Sequence, residues 1–522
     1  MTFLEDRDLH DVPAIPEYYR GKTIFITGGT GFMGKVLIEK LLYSCTDLDR
    51  IYLLIRPKKG VKAEDRLAEL YASSCFDRLR KEKPGVFESK VYFIAGDCSE
   101  MGLGLSAEDR ILLINRINII YHAAASVRFD DPLKVSVKLN LRGTIELIEL
   151  AKEVQYLESL VHISTSYCNT NRDPIEEVMY PPHADWREML EICENIDDHT
   201  LNILTAKYIG QMPNTYSFVK QLADNMIFEQ KGHLPVVIIR PSIVISTYRE
   251  PMPGWIDNFN GPVGIIVASG KGILRTLYAS EENLLDYIPV DIAIKSIIVA
   301  SWIRGTKKVE PTDDIPIYNT CNNNMTYSLS VKDMIKYGHK HIKEWPIDNM
   351  VWSAGGTIIP IKSLHYITVI LLHVLPAILL DTLLRLAGKK PMVLKLQRRI
   401  YASNMVLALY LTKQWTFSIT NFLHLRTKIK EEDKEHFYYV MEGVDVENDY
   451  FLNCIIGGRK YLLKEKDEDL PKAKSHYTRI TLFANVVKYL FYGWLLWWFM
   501  HTGFMRNILL TINNNYVKMY DL

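Results

Sequence analysis

Tyr216 and Lys220 stand four residues apart in PNTYSFVKQLAD. On a helix, that spacing turns both side chains to one face. A phenol beside an ammonium makes an acid–base pair, because the positive charge eases loss of the phenolic proton. Pro213 and Asn214 read as the start signal of that helix. Upstream, VHISTSYCN puts Ser164, Thr165 and Ser166 at the end of an apolar run. A hydroxyl there would orient a carbonyl toward the phenol. Tyr-x-x-x-Lys alone is common on helices, so its weight depends on what precedes it.

What precedes it is TIFITGGTGFMGKVLIEKLL, residues 23–42. An apolar strand runs into Thr27, Gly28, Gly29, Thr30, Gly31, Phe32, Met33 and Gly34, and then into an amphipathic helix. A strand that turns straight into a helix aims free N–H groups and the helix dipole at whatever lies above, which favours an anion. Glycine permits the tight turn and the close approach of a pyrophosphate. The plainer reading is a structural turn; the strand before and the helix after support dinucleotide binding.

The second strand decides which dinucleotide. It ends YLLIRPKKG, with Arg56, Lys58 and Lys59 where an NAD-binding chain carries a carboxylate. A guanidinium fork matches a 2′-phosphate, so the expected cofactor is NADPH. A solvated basic loop is the plainer alternative. Asp97 and Cys98, in AGDCSE after the third strand, are placed to meet the adenine. Ala123 and Ala124 after the fourth leave room for the cofactor, and Pro241 and Ile243 in RPSIV lie where the chain would pass the nicotinamide. Asn140, in KLNLRGT, is either a further site residue or a backbone-bonding helix residue.

These residues need rigid elements to hold them. Short β-branched runs at 23–27, 51–55, 91–95, 117–121, 159–163 and 236–240 alternate with helical patterns such as 34–43, 134–154 and 215–231. Near-continuous apolar strands between helices predict a parallel sheet covered on both faces. The expected fold class is α/β, a doubly wound parallel Rossmann sheet. The 522 residues allow two or three domains, and 48% apolar content supports a large core. A net charge of +1 gives no footprint for nucleic acid. Seven cysteines at wide spacings, with no Cys-x-x-Cys, argue against a disulfide framework or a metal site. The polar, acidic start MTFLEDRDLHDV is no secretory signal.

The glycine turn and the Tyr-Lys pair resemble those of the extended short-chain dehydrogenase/reductases. More narrowly, the chain resembles the alcohol-forming fatty acyl-CoA reductases of eukaryotes, with an insect-like character. The resemblance runs from about residue 14 to 465, through IPEYYRGKTIFITGGTGFMGKVLIEKLL, HISTSYCN, YSFVKQLAD, RPSIV, PGWIDNFNGPVG, DYIPVD and HVLPAILLDTLLRLAGKKP. It implies that Tyr216 is the acid, Lys220 orients the cofactor, and Thr165, beside Ser164, is the hydroxyl partner. Ser166 stands where many relatives show a small apolar residue. The implied reaction is a two-step, NADPH-dependent reduction of a long-chain fatty acyl-CoA through an aldehyde to a primary alcohol. The long stretch 171–213, and Lys271 with Arg275, are candidates for contacts with the acyl-CoA. Two other functions remain open: a ketone reductase of the same fold, and a catalytically silent lipid-binding protein. A homodimer is compatible with the sequence.

The expected division is a cofactor and substrate unit over 1–330, a mainly helical C-terminal domain over 331–470, and a membrane-anchoring tail over 471–522. Residues 364–380 approach the ~20 apolar residues of a spanning helix, but Pro376 and the flanking charges suit a buried or interfacial helix better. Residues 480–500 have the length of a span, with Trp494, Trp497 and Trp498 as interface formers. A flat amphipathic anchor and a packed core helix are the alternatives. Lys472, Lys474, His476 and Arg479, just before it, suggest a cytosolic side there, so the catalytic part is expected to face the cytosol, with the endoplasmic reticulum as the expected membrane and the peroxisome as the alternative.

Overall fold

The structure, a computed structural model, describes residues 12–57, 63–323, 327–441, 443–501, 503 and 510–511. Lys58 and Lys59 lie outside the described residues. The strands are β1 (Thr23–Thr27), β2 (Arg50–Ile55), β3 (Val91–Ala95), β4 (Ile119–His122), β5 (Ser159–Ile163), β6 (Val236–Pro241), β7 (Ile243–Ile245), β8 (Thr276–Tyr278), β9 (Tyr287–Pro289), β10 (Ile317–Thr320) and β11 (Thr357–Ile359). The helices that matter below are α1 (Phe32–Ser44), α2 (Gly143–Glu153), α3 (Thr215–Phe228), α4 (Val290–Gly305), α5 (Lys362–Leu386), α6 (Val393–Thr412) and α7 (Leu470–His501).

Seven strands form one sheet in the order β10-β6-β5-β4-β1-β2-β3, and every neighbouring pair is parallel. All six expected strands are in it. The fourth starts at Ile119 rather than 117, because Ile117 closes the preceding helix by bonding its N–H to the Leu113 carbonyl. The seventh, β10, is too short at four residues to announce itself. From β1 the chain winds outward to β3 and then returns to β4 on the other side of β1. That reversal opens a crevice at the C-terminal ends of β1 and β4, where ligands bind in such sheets.

Alternation along the strands supplies two cores. Ile24, Ile26, Leu53 and Val161 face α1 and α4; Phe25, Leu54, Leu160 and Ile238 face α2 and α3. Each fully buried aliphatic side chain contributes roughly 1.5–3 kcal/mol. The first core continues into the C-terminal part of the chain through Phe417, Leu425 and Phe437. Ile175 N–H donates to the Thr416 carbonyl at 2.8 Å, and Ser418 N–H donates to the Ile175 carbonyl at 2.9 Å. Residues beyond 400 are therefore woven into the body that carries the sheet.

Among the described residues, two helices are long and apolar enough to cross a membrane. On α5 the buried residues are His365, Val369, His373, Ala377 and Asp381, while its leucines face outward. A π-helical stretch, Ile370–Val374, lies just ahead of Pro376, whose ring would crowd a regular turn. On α7 only Ala473 and Ala484 are buried. Trp494, Trp497 and Trp498 are half exposed, so a packed core helix does not describe this segment.

All seven cysteines are free; Cys98 and Cys454 are half-buried and the other five buried. Burial raises every thiol, Cys193 to about 11 and Cys98, Cys168 and Cys454 to about 12, with Cys45, Cys75 and Cys321 also raised.

Candidate active site

The crevice is floored by the glycine turn. Gly28 has φ +76°, and a Cβ there would lie 2.6 Å from the Ala123 carbonyl carbon and the Ala124 nitrogen. The turn after β1 and the loop after β4 thus touch at the reversal point, and only glycine allows it. A Cβ on Gly34 would stand 2.3 Å from the Gly28 carbonyl oxygen, so α1 also needs its missing side chain to pack on the turn. Gly31 is the N-cap of α1, and no side chain caps that end. Thr30, Phe32 and Met33 are half-buried around it. A bare helix N-terminus over a glycine cradle fits the pyrophosphate of a nicotinamide dinucleotide.

Second, the stretch 253–264 folds over this helix start. Phe32 stacks on Trp255 with ring centroids 5.5 Å apart, and Lys35 Nζ bonds Asp257 at 2.8 Å.

Several residues expected at the cofactor work by holding others. The Thr27 hydroxyl is fully buried, 2.7 Å from His122 Nδ1, and accepts from Ala124 N–H at 3.3 Å. Asn140 sits in a π-helical segment, Val137–Arg142, that runs into α2. Its amide accepts from Ser126 N–H at 2.8 Å and donates to the Ser126 carbonyl at 3.0 Å, so it braces the loop that carries Ala123 and Ala124. Cys98 lies against Gly143, where a Cβ would come within 2.7 Å of the Cys98 carbonyl oxygen. At the outer end of the crevice, Arg56 is exposed and 3.8 Å from the Asp97 carboxylate, which also accepts from Ser99 N–H. Pro241 ends β6, and Ile243 opens β7 opposite Tyr287.

The reactive groups come from β5 and α3. Asn214 caps α3 by accepting from Ser217 N–H at 2.8 Å. This sets Tyr216, Lys220 and Asp224 on one buried face. Lys220 Nζ donates to the Ile163 carbonyl at 2.7 Å, at the end of β5. Thr165 lies near enough to the Tyr216 phenol to favour its ionised form, and its hydroxyl accepts from Tyr167 N–H at 3.3 Å. Ser164 lies on the other side of the chain, toward Asp224 and Cys168.

The electrostatics differ from the sequence argument in one respect. The Tyr216 phenol is raised above the usual tyrosine range, first by burial and then by Tyr410, and the nearby Thr165 hydroxyl only partly opposes this. It therefore keeps its proton at neutral pH. Burial pulls the Lys220 ammonium down to about 8, against the raising effect of Asp224 and Cys168. Burial also works to raise Asp224, but Arg240, whose Nε bonds it at 2.9 Å, and His162 outweigh it and hold the carboxyl at about 2.

Residues that the sequence reading did not single out complete the site. Tyr410, on α6, places its hydroxyl where Asn214 Nδ2 donates to it at 2.9 Å. Phe129 lies between the rings of Tyr216 and Tyr410, at 5.7 and 5.3 Å. Asp224 continues the fourfold spacing of Tyr216 and Lys220 and was legible; Tyr410, almost 200 residues away, has no local signature. Next to Tyr410, Leu411 lines an apolar cavity of about 110 Å³ together with Ile266, Leu274, Leu277, Met334 and Phe451. Among the described residues, none from 171–213 lines it. Lys271 and Arg275 flank its wall, with Arg275 Nη1 tied to the Ser353 carbonyl at 2.8 Å.

A reversal-point cradle and a Tyr-Lys pair at the next strand ends are the build of an extended short-chain reductase that uses a nicotinamide cofactor. Solved structures of similar fold include the reductase domain of a nonribosomal peptide synthetase from Mycobacterium tuberculosis, at a TM-score of 0.55 and 18% identity, covering 86% of this chain and 94% of that one. The terminal R domain of the myxalamid pathway gives 0.53 and 18%, over 86% and 93%. Two family models, both described as male sterility protein, match residues 26–297, as an NAD-binding part, and 372–465. Relatives include a Drosophila melanogaster protein named fatty acyl-CoA reductase wat, 36% identical over 95% of this chain and 96% of that protein. Fatty acyl-CoA reductase 1 of Rattus norvegicus is 38% identical over 90% of each chain. The chain belongs to the fatty acyl-CoA reductase family.

Proposed function

We propose that this protein reduces a long-chain fatty acyl-CoA to the primary fatty alcohol with NADPH as reductant. The observation that carries the reading is that Lys220 is held on the end of β5, two strands from the Gly28–Gly34 turn at the end of β1, while Tyr216 packs through Phe129 on Tyr410, whose chain neighbour Leu411 lines the apolar cavity. The cradle and the α1 N-terminus would hold the pyrophosphate, and Arg56 the 2′-phosphate. NADPH supplies two electrons and a proton as hydride, once per reductive step.

Thr165 and Tyr216 hold the carbonyl oxygen, and the charge that grows on it is drawn toward their hydroxyls. In the first reduction the adduct collapses, its C–S bond breaks, and CoA thiolate leaves with an aldehyde formed. In the second, Tyr216 protonates the alkoxide to give the alcohol. Lys220, anchored on the Ile163 carbonyl, lowers the cost of the phenolate left behind and is positioned to orient the nicotinamide ribose. The balance is one acyl-CoA, two NADPH and two protons to one alcohol, CoA-SH and two NADP⁺. The apolar cavity is suited to the acyl chain. We further infer that the tail from 471 anchors the protein in a membrane of the endoplasmic reticulum, with the catalytic part in the cytosol.

The test is NADPH oxidation by purified protein given a long-chain acyl-CoA, a ketosteroid or no substrate, with product analysis. Fatty alcohol at one per two NADPH supports the reading; oxidation with the ketone alone overturns it.

A further inference from the structure

We propose that α5 is a flat docking face for an anionic phospholipid bilayer: it lies along the membrane surface with its apolar side down and does not cross it. The inference concerns a surface, and stands whatever the protein reduces.

The helix is inverted relative to one on a water-facing surface. Every fourth residue from His365 to Asp381 is buried against the protein, and three of those five are polar or ionisable. His373 Nε2 accepts from Arg275 N–H and Thr276 N–H at 3.1 and 3.2 Å, and its Nδ1 lies 2.9 Å from Gln397 Oε1. Asp381 caps the start of α6, accepting from Met392, Val393 and Leu394 N–H groups at 2.9–3.0 Å. The outward face is apolar: Leu371, Leu375 and Leu379 are 54%, 52% and 62% exposed. Such a face has no favourable contact with water.

The inward bonds of His373 and Asp381, with the burial of His365, Val369 and Ala377, argue against a crossing. The stripe from His365 to Asp381 covers about 24 Å of helix axis, most of the roughly 37 Å length of α5. A helix fixed to a folded body over that length would have to drag the body into the hydrocarbon in order to span it. Lying in the interface costs nothing of the kind.

Charge names the surface. Arg385, Lys389, Lys390, Lys395, Arg398 and Arg399 are all exposed, and no carboxylate occurs in the sequence between 382 and 400. This basic run follows directly from the apolar face and complements acidic headgroups. The placement of α7 agrees. His476 on α7 lies 2.8 Å from the Met350 carbonyl, and Phe483 packs on Trp352 at 5.8 Å. Val351 N–H donates to the Lys271 carbonyl, and Arg275 bonds Ser353. Both apolar helices therefore hang from one short segment, 271–276, whose Leu274 also lines the apolar cavity.

The test uses full-length protein with Leu364→Cys, Leu371→Cys, Leu379→Cys or Leu386→Cys, each labelled with a lipid-sensitive fluorophore. Each is reconstituted into vesicles of phosphatidylcholine with phosphatidylserine. Wild-type protein carried through the same labelling sets the background, and far-UV circular dichroism checks folding. Quenchers are placed on lipids near the headgroup and near the acyl-chain end. The expected result is shallow quenching at all four positions, alike within about twofold, and several-fold weaker in phosphatidylcholine alone. Three results would overturn the proposal. Deep quenching at 371 and 379 with shallow ends means a span. Quenching by aqueous iodide only means a water-facing helix. Protection from both, with a doubled mass in detergent, means that a second copy covers the face.

Discussion

The Tyr410 hydroxyl accepts a hydrogen bond from Asn214, the residue that caps the helix carrying Tyr216 and Lys220. A residue of the C-terminal part thus steadies the start of the catalytic helix. Tyr410→Phe leaves a buried amide donor without its partner, which costs about 1–3 kcal/mol. Urea denaturation should show that loss, and kcat should fall several-fold with the acyl-CoA KM nearly unchanged. Wild-type stability and kcat would show that the contact is idle.

Tyr216→Phe removes the proton donor but keeps the ring against Phe129. Fatty alcohol formation should drop by ~10²–10⁴-fold. NADPH binding, followed by nicotinamide fluorescence, should hardly change. Turnover within threefold of wild type would take Tyr216 out of the mechanism.

Arg56 is exposed beside Asp97, with no role in the packed core. Arg56→Ala should weaken NADPH by about 1.5–3 kcal/mol, the worth of a charge-assisted contact to the 2′-phosphate, and leave NADH unchanged. Equal losses for the two cofactors, measured by titration, would make Arg56 structural.

The pH profile follows from Lys220. Burial lowers its ammonium from 10.5 to about 8, so the charged form prevails below that pH and is lost as pH rises through it. Tyr216, shifted upward, stays protonated over the same range. The kcat/KM for reduction should therefore fall about tenfold per pH unit above about 8. A profile flat to pH 10 would contradict the assignment.

A chain ending at Ala484 keeps the contacts of His476 and Phe483 and loses the exposed remainder of α7. It should retain NADPH binding, stay on anionic membranes at low salt, and leave them in carbonate, where the full chain remains. Retention in carbonate would move the anchor to α5.

Six of the seven parallel strands and the glycine turn were legible because each rests on local pattern, apolar runs, glycine spacing and helix periodicity; the order of the strands and the four-residue β10 were not. The spacing of Tyr216 and Lys220 is local in the same way, whereas the choice of Thr165 among three successive hydroxyls rests on the family resemblance. What the sequence could not show is set by chain crossings. Tyr410 reaches Asn214 only because residues beyond 400 weave back into the core through Phe417. The roles of Thr27 and Asn140 as braces depend on His122 and Ser126, partners that only the fold identifies. Composition marked α5 as apolar, but not that its polar residues face inward, since that depends on where β8 and Gln397 stand.

The seven raised thiols have a chemical consequence for an enzyme that sets free a thiol at each turnover. Thiol–disulfide exchange needs a thiolate, and a group with its pKa near 11 or 12 offers almost none at neutral pH. Cys168, whose thiol lies 3.5 Å from the Asp224 carboxylate, is raised first by burial; Arg240 works against this, and the negative charge of Asp224 adds to it. Coenzyme A disulfide accumulating under oxidative stress would thus find no ready partner on this protein. The catalyst can work amid its own sulfur-bearing product without being capped by it.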